Sequence, residues 1–371
     1  MRFFSPILCG GVLACLIALP GVFFSARANP PGPTTAPDGV AWKFARNSRV
    51  VAIGDLHGDA NALLDILTQT KLIDKAGNWI GGDAHLVLTG DLVDRGPDSR
   101  IILQYLIGLS RQAEAAGGHV HRLLGNHEFM LATGDTFYTH ADDFKGFATV
   151  HPAPEARQSF LLAMNDVEQS EIAREARGRN AVIQIGDTIF AHAGIGDWAE
   201  ESATPANMIG EVNARIRKNF SEYQDHTTRE IRAQKILPAP TETYWGLGVD
   251  GPLEDTRLTD RGGSTPEIDA KLREILRSNG AKEIAVGHRV TESRQIRRTH
   301  AGQVVHLDTA ISVGMDSGQL TAYEITATGE KTFHQGLVRS SKPHPVVVSY
   351  RKLDGTQLNR LRCLLRRLLS P

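Results

Sequence analysis

Between residues 49 and 325 the chain repeatedly builds a short β-branched run and then resumes with helical periodicity. The runs cover 49–53, 85–89, 119–123, 182–191, 283–286, 304–307 and 320–325. Strands alternating with helices close into an α/β sheet structure. The helical stretches carry readable ends. Asp59 can cap a helix that holds Leu63, Leu64, Ile66 and Leu67, while Thr265-Pro266 opens another that Gly280 closes. Five of the runs end directly in a polar cluster, the end of a strand where open α/β sheets place their ligands.

The clusters are Gly54-Asp55-Leu56-His57-Gly58-Asp59, Gly90-Asp91-Leu92-Val93-Asp94-Arg95-Gly96, Gly125-Asn126-His127-Glu128, Ala191-His192-Ala193-Gly194 and Gly287-His288-Arg289. Any one of them alone reads as ordinary turn chemistry, and a single buried histidine as a hydrogen-bonded core residue. Together they offer aspartate, asparagine and imidazole donors without a thiolate. Such donors suit two divalent ions of the Mn, Fe, Zn or Ni type rather than a structural zinc.

Composition narrows the class of protein. Of 371 residues, 41% are apolar and 22% charged, which excludes a disordered, collagen-like or multi-span membrane chain. The net charge of −1 lacks the basic footprint of a general nucleic-acid binder, so no nucleic-acid partner is expected. Residues 1–28 differ from the rest: Arg2, an apolar stretch from Ile7 to Phe24, then Ala26-Arg27-Ala28. That is the pattern of a cleaved signal peptide, with an uncleaved membrane anchor as the alternative. Cleavage would take the net charge from −1 to −3 and leave Cys363 as the one thiol, so export is expected without an internal disulfide. Residues 29–47 read as a proline-rich linker and lead-in, and 48–335 as one catalytic domain with helical insertions near 132–180 and 198–240. In the tail, 336–371, six leucines from Leu358 to Leu369 interleave with four arginines at helical spacing. This fits either peripheral contact with an anionic membrane or a helix packed on its own domain.

The three N-terminal clusters resemble the signature of calcineurin-like metallophosphoesterases. The Asp94-Arg95-Gly96 ending is similar to the phosphoprotein phosphatase branch, and Ile185-Gly186-Asp187-Thr188 with Gly251-Pro252-Leu253 to bacterial Shewanella-like phosphatases. The resemblance implies a four-layer α/β/β/α sandwich with two mixed sheets. It also implies a dinuclear centre at which a bridging hydroxide displaces the leaving group of a phosphomonoester. Asp55 and His57 are then the ligands of one ion, Asp91 bridges, and Asn126, His192 and His288 hold the other. His127 is implied as general acid with Asp94 as its partner, and Arg95, Arg257 and Asn126 as phosphate contacts. Asp94 and Arg95 also admit a plain loop ion pair, and His127 a structural role. Two features depart from the wider superfamily. Gly287-His288-Arg289-Val290 lacks the second histidine of Gly-His-x-His, and Glu254-Asp255 interrupts the segment before Arg257. The implied substrate is a phosphorylated protein, peptide or small phosphomonoester, on tyrosine or on serine and threonine. A dinucleoside polyphosphate hydrolase and a non-catalytic pseudo-phosphatase that binds phosphate or a partner are the alternatives.

Overall fold

The runs of β-branched residues are apolar at consecutive positions because both faces of their strands are covered. The computed structural model describes residues 33–148, 155–196, 207–233, 253, 257–261, 263–315 and 318–352. The leader 1–28, Gly251-Pro252, the outer parts of the second insertion and the tail beyond 352 lie outside the described residues.

The described strands are β1 (Thr34–Thr35), β2 (Ala41–Phe44), β3 (Val50–Ile53), β4 (His85–Leu88), β5 (His119–Arg122), β6 (Val182–Ile185), β7 (Thr188–Ala191), β8 (Glu283–Val286), β9 (Arg297–Thr299), β10 (Val304–His306), β11 (Leu320–Ile325) and β12 (Lys331–Leu337). The described α-helices are α1 (Ala60–Gln69), α2 (Ser99–Ala115), α3 (Asn126–Ala132), α4 (Ala141–Ala148), α5 (Ala156–Asn165), α6 (Glu171–Arg177), α7 (Met208–Arg232), α8 (Pro266–Ser278) and α9 (Pro345–Lys352). One sheet runs β12-β11-β3-β4-β5, the other β1-β2-β6-β7-β8-β10-β9. Both are mixed. In the first, β3, β4 and β5 are parallel; in the second, β7, β8 and β10 are parallel.

Period-two alternation sorts the side chains into layers. Val51, Ile53, Leu86 and Leu88 join the apolar cluster that includes Leu63, Leu67, Ile102 and Leu106 of α1 and α2. Their neighbours Val50, Ala52 and Val87 face the other way and meet Ile183, Ile185, Phe190, Ala285 and Val305 of the second sheet. On that sheet's far face Val182, Ile189, Ile284 and Val304 pack with Ile209, Ile216 and Phe220 of α7 and Leu272 of α8. The order is therefore helix, sheet, sheet, helix, the expected four-layer sandwich. Both expected caps form. Asp59 accepts the Ala62 N–H at 2.9 Å, and Thr265 accepts that of Ile268 at 3.3 Å, with Pro266 opening α8.

Two elements differ from the sequence expectation. The run 182–191 is a hairpin, β6 and β7, turning at Gly186-Asp187, where Arg46 pairs with Asp187. Its two arms have one apolar pattern, so the turn hides within it. Part of the expected lead-in becomes β2, because Trp42 finds a buried place in the α7 cluster. The first insertion is helical as expected, through α4, α5 and α6, and the described part of the second is α7, which covers the seven-stranded sheet.

Candidate metal centre

Six strands, three mutually parallel in each sheet, deliver chemistry to one end of the sandwich. From the five-stranded sheet, the ends of β3, β4 and β5 carry Asp55 and His57, Asp91 to Arg95, and Asn126 and His127. From the seven-stranded sheet, β7, β8 and β10 carry His192, His288 and Asp308. Backbone bonds knit the loops together. The Leu56 and His57 amides both donate to the Asp91 carbonyl at 3.1 and 2.9 Å, and Gly96 N–H donates to the His57 carbonyl at 3.0 Å. Glu128, in the first turn of α3, accepts from the amides of Gly125, Asp91 and Leu92 at 2.8–3.0 Å. Five site residues, His57, Asp91, Asp94, Arg95 and His288, hold left-handed backbone between φ 39° and 67°. Such strain persists where surrounding bonds impose it. Close approach explains two glycines. A Cβ on Gly125 would lie 2.2 Å from an Asp91 carboxylate oxygen, and one on Gly287 2.2 Å from that of Asp55.

The ligand atoms converge. His57 Nε2 lies 3.7 Å and His192 Nε2 3.4 Å from Asp91 Oδ2. Asn126 Oδ1 is 2.9 Å from His192 Nε2 and 3.2 Å from His288 Nδ1. Asp55 accepts the His288 amide at 2.9 and 3.1 Å. Two groups have donor atoms close enough to share an ion: His57, Asp91 and His127, and Asp91, His192 and His288. Asp91 is common to both. His192 is aimed by its Nδ1, 3.0 Å from the Thr89 carbonyl, and His57 by its Nδ1, 3.2 Å from that of Val93.

Electrostatics favours cations here. Asp55, Asp91 and Asp308 are all buried to 2% exposure or less. Among the described residues none of them has a lysine or arginine ion pair. Burial, then the Asp308 charge, raises Asp55 well above the usual carboxylate range; burial raises Asp308 to about 6. Burial pushes His57 and His288 down to about 3, leaving them neutral and able to ligate. Burial works against the charged form of His192 too, but Asp91 and Asp55 hold it up at about 10. Crowded carboxylates, the neutral imidazoles of His57 and His288 and the absence of a thiolate form a donor set that fits divalent ions.

A second group adjoins the ligands. His127 Nδ1 lies 2.9 Å from Asp94 Oδ2, and Thr139 Oγ1 donates to Asp94 Oδ1 at 2.8 Å. Burial opposes a charged His127, yet Asp91 and Asp94 raise its pKa. The half-buried Arg95 lays its guanidinium 4.4 Å from the Tyr138 ring centroid, and its Nε has no hydrogen-bond partner. Tyr138 also meets the His127 ring at 5.1 Å and Phe137 at 4.9 Å. Phe137 itself is 81% exposed.

Asp55, His57, Asp91, Asp94, Arg95, Asn126, His127, His192 and His288 thus come together as the sequence led us to expect. Arg257 does not share their burial: it opens the wide helical turn Arg257–Arg261 with an exposed side chain, anchored where Leu258 N–H meets the Ile195 carbonyl at 3.1 Å. Sequence reasoning missed Asp308, the loop-pinning role of Glu128, and the Thr139 and Phe137-Tyr138 contacts. Asp308 had a signal, since it follows a β-run as the candidate ligands do. Thr139 had none.

One support carries a stability prediction. Ser99 Oγ donates to the buried Asp143 at 2.6 Å and accepts the Asp94 amide at 3.2 Å. Burial raises the Asp143 carboxyl from 3.8 to about 7. An acid whose folded pKa lies above its unfolded value keeps its proton only when folded, so stability falls as pH rises from about 4 to 7 and the whole penalty stands above 7. Asp143→Asn is expected to gain up to about 4 kcal/mol at pH 8 and nothing at pH 4. Urea denaturation at both values checks it; an equal change at both contradicts it.

The fold and this donor set define a metal-dependent hydrolase of phosphoesters. The chain belongs to the calcineurin-like phosphoesterase family, which it matches over residues 48–292. Among curated relatives, it is 31% identical over 207 residues to an uncharacterised protein of Schizosaccharomyces pombe (55% of this chain, 56% of that one). It is 27% identical over 283 residues to Shewanella-like protein phosphatase 1 of Plasmodium berghei (76% and 71%). Among solved structures, the cold-active protein-tyrosine phosphatase of a psychrophilic Shewanella is similar, with TM-score 0.58 and 28% identity over 78% of this chain and 81% of that one.

Proposed function

We propose that this phosphoesterase hydrolyses phosphomonoesters on proteins or peptides, with a preference for phosphotyrosine. The observation that carries the preference is the aromatic rim: Tyr138 under the Arg95 guanidinium and beside His127, with Phe137 exposed next to it. A phenyl ring attached to the phosphate can stack there, whereas a serine or threonine stem cannot. The similarity to a Shewanella enzyme described as a protein-tyrosine phosphatase supports the same reading.

In this reading Asp55 and His57 hold one ion, Asn126, His192 and His288 the other, and Asp91 lies between them. The ions, when bound, supply positive charge that polarises phosphoryl oxygens and lowers the pKa of water. Mn, Fe, Zn and Ni all suit these donors. Arg95 offers paired N–H donors to the phosphate, with Asn126 beside it and Arg257 as a further contact by resemblance. His127 carries a proton on Nε2 towards the leaving oxygen, and Asp94 keeps the ring oriented and charged through Nδ1. The apolar leader with Ala26-Arg27-Ala28 supports export to the periplasm or beyond, and the leucine–arginine spacing of the tail supports peripheral membrane contact.

The test is a panel of phosphotyrosine, phosphothreonine and phosphoserine peptides, with diadenosine tetraphosphate as the arm for the dinucleotide alternative. The phosphotyrosine peptide is expected to have the highest kcat/KM. Phe137→Ala is expected to raise its KM about 2- to 10-fold and leave the phosphothreonine peptide unchanged. Equal rates on all peptides, or a preference for the dinucleotide, would overturn the reading.

A further inference from the structure

The chain that leaves β10 of the seven-stranded sheet bonds to the loops of the five-stranded one. Its described part runs from Leu307 to Met315. The base is tied to its own sheet. The Thr291 N–H, three residues beyond His288, donates to the Asp308 carbonyl at 2.9 Å, and Arg294 donates to that of Met315 at 3.2 Å. Ala310 then turns the backbone at φ 54°, its N–H donating to Asp308 Oδ1 at 2.9 Å.

The tip is tied to the other sheet. The buried Ser312 donates its hydroxyl to the His57 carbonyl at 2.8 Å and accepts the Gly314 N–H at 3.0 Å. The Val313 N–H donates to Asp59 Oδ2 at 3.0 Å. Arg339, just past β12, donates to the same oxygen at 2.7 Å and also to the Ile311 carbonyl. A Cβ on Gly314 would lie 2.8 Å from the Arg95 carbonyl group, so the two backbones are in direct contact.

His57 needs such a hold. Its backbone is left-handed at φ 39° and its side chain is buried. A strained conformation persists only where its surroundings impose it. The His57 carbonyl can accept two bonds: Gly96 N–H supplies one at 3.0 Å and Ser312 the second. The Gly96 bond, the Asp91 carbonyl that receives the His57 amide and the Val93 carbonyl beside Nδ1 all belong to the single loop after β4. Ser312 adds a hold from the opposite sheet.

We propose that Ser312 is a positioning residue for the ion assigned above to Asp55 and His57. Its hydroxyl fixes the His57 carbonyl across the two sheets and so sets where His57 Nε2 stands. This role rests on that assignment of His57. The one O–H of Ser312 is committed to the carbonyl, which leaves it no proton to offer a substrate.

Mn²⁺ titration of the full chain provides the test. Ser312→Ala is expected to weaken one of the two sites about 10- to 100-fold, the range for partners one step removed from a metal, and to leave the other unchanged. A bond that only stabilised the fold would lower resistance to urea without singling out one ion. Anomalous scattering from crystals grown at limiting Mn²⁺ is expected to place the depleted ion beside Asp55 and His57, with the peak beside His192 and His288 retained. Equal weakening of both sites, or none in a folded variant, would overturn the proposal while a wild-type peak beside His57 upholds the assignment. Wild-type crystals without that peak would overturn both. The wild type supplies a second check, because a contact that tightens an ion is itself tightened by that ion to the same degree. Amide exchange at Val313 and Gly314 is expected to slow by about 10-fold or more on Mn²⁺ loading. Unchanged rates at both amides would overturn the proposal even if the alanine variant does not fold.

Discussion

Asparagine in place of His127 is expected to lower kcat on phenyl phosphate by about 10²–10⁴-fold, the usual worth of a positioned general acid. On p-nitrophenyl phosphate the loss should be much smaller, because p-nitrophenolate departs as a stable anion and needs no proton. The expectation rests on geometry. Asp94 holds His127 Nδ1 at 2.9 Å, Thr139 holds Asp94, and the Asp91 and Asp94 charges favour the protonated ring despite its burial. The same ring also belongs to a donor group with His57 and Asp91, its Nε2 3.8 Å from Asp91 Oδ2. The two roles separate by metal content. An acid can be removed with both ions retained and with the loss graded by leaving group. A ligand cannot: the loss would then be equal on both substrates and accompanied by loss of metal.

Asp91→Asn is expected to have the other large effect. Asp91 is the residue shared by the two donor groups, and its Oδ2 faces His57, His127 and His192 at 3.4–3.8 Å. Partners one step removed from a metal already change its affinity by about 10–100-fold. Loss of the shared carboxylate itself is expected to weaken metal binding by more than about 100-fold, and to lower kcat/KM by about 10³-fold or more at fixed metal. The backbone bonds around Asp91, to Leu56, His57 and Glu128, do not use its side chain, so the variant should fold. Metal titration followed by elemental analysis checks this. Wild-type affinity in the variant would remove Asp91 from the centre.

What was legible in the sequence follows from where the information is local. The candidate ligands sit directly after β-branched runs, so Asp55, Asp91, Asn126, His192 and His288 could be found by reading strand ends. Their convergence needs two sheets packed face to face, which the alternation of Val50 with Val51 and of Ile183 with Val182 implies but does not align. Supports drawn from distant segments were invisible. Thr139 reaches Asp94 from 45 residues away, and Tyr138 lies in a stretch with no strand or cap signal. The hairpin at Gly186-Asp187 was read as one strand because two apolar arms joined by two residues keep a continuous pattern.

The central claim is that residues delivered by both sheets form a single dinuclear centre around Asp91. Counting bound metal on the purified chain tests it most directly, with hydrolysis of p-nitrophenyl phosphate followed as Mn²⁺ is added to chelator-treated protein. Two ions per chain are expected, with activity rising until the second is bound and vanishing again when both are removed. Full activity with metal absent, or saturation at one ion per chain, would contradict the account.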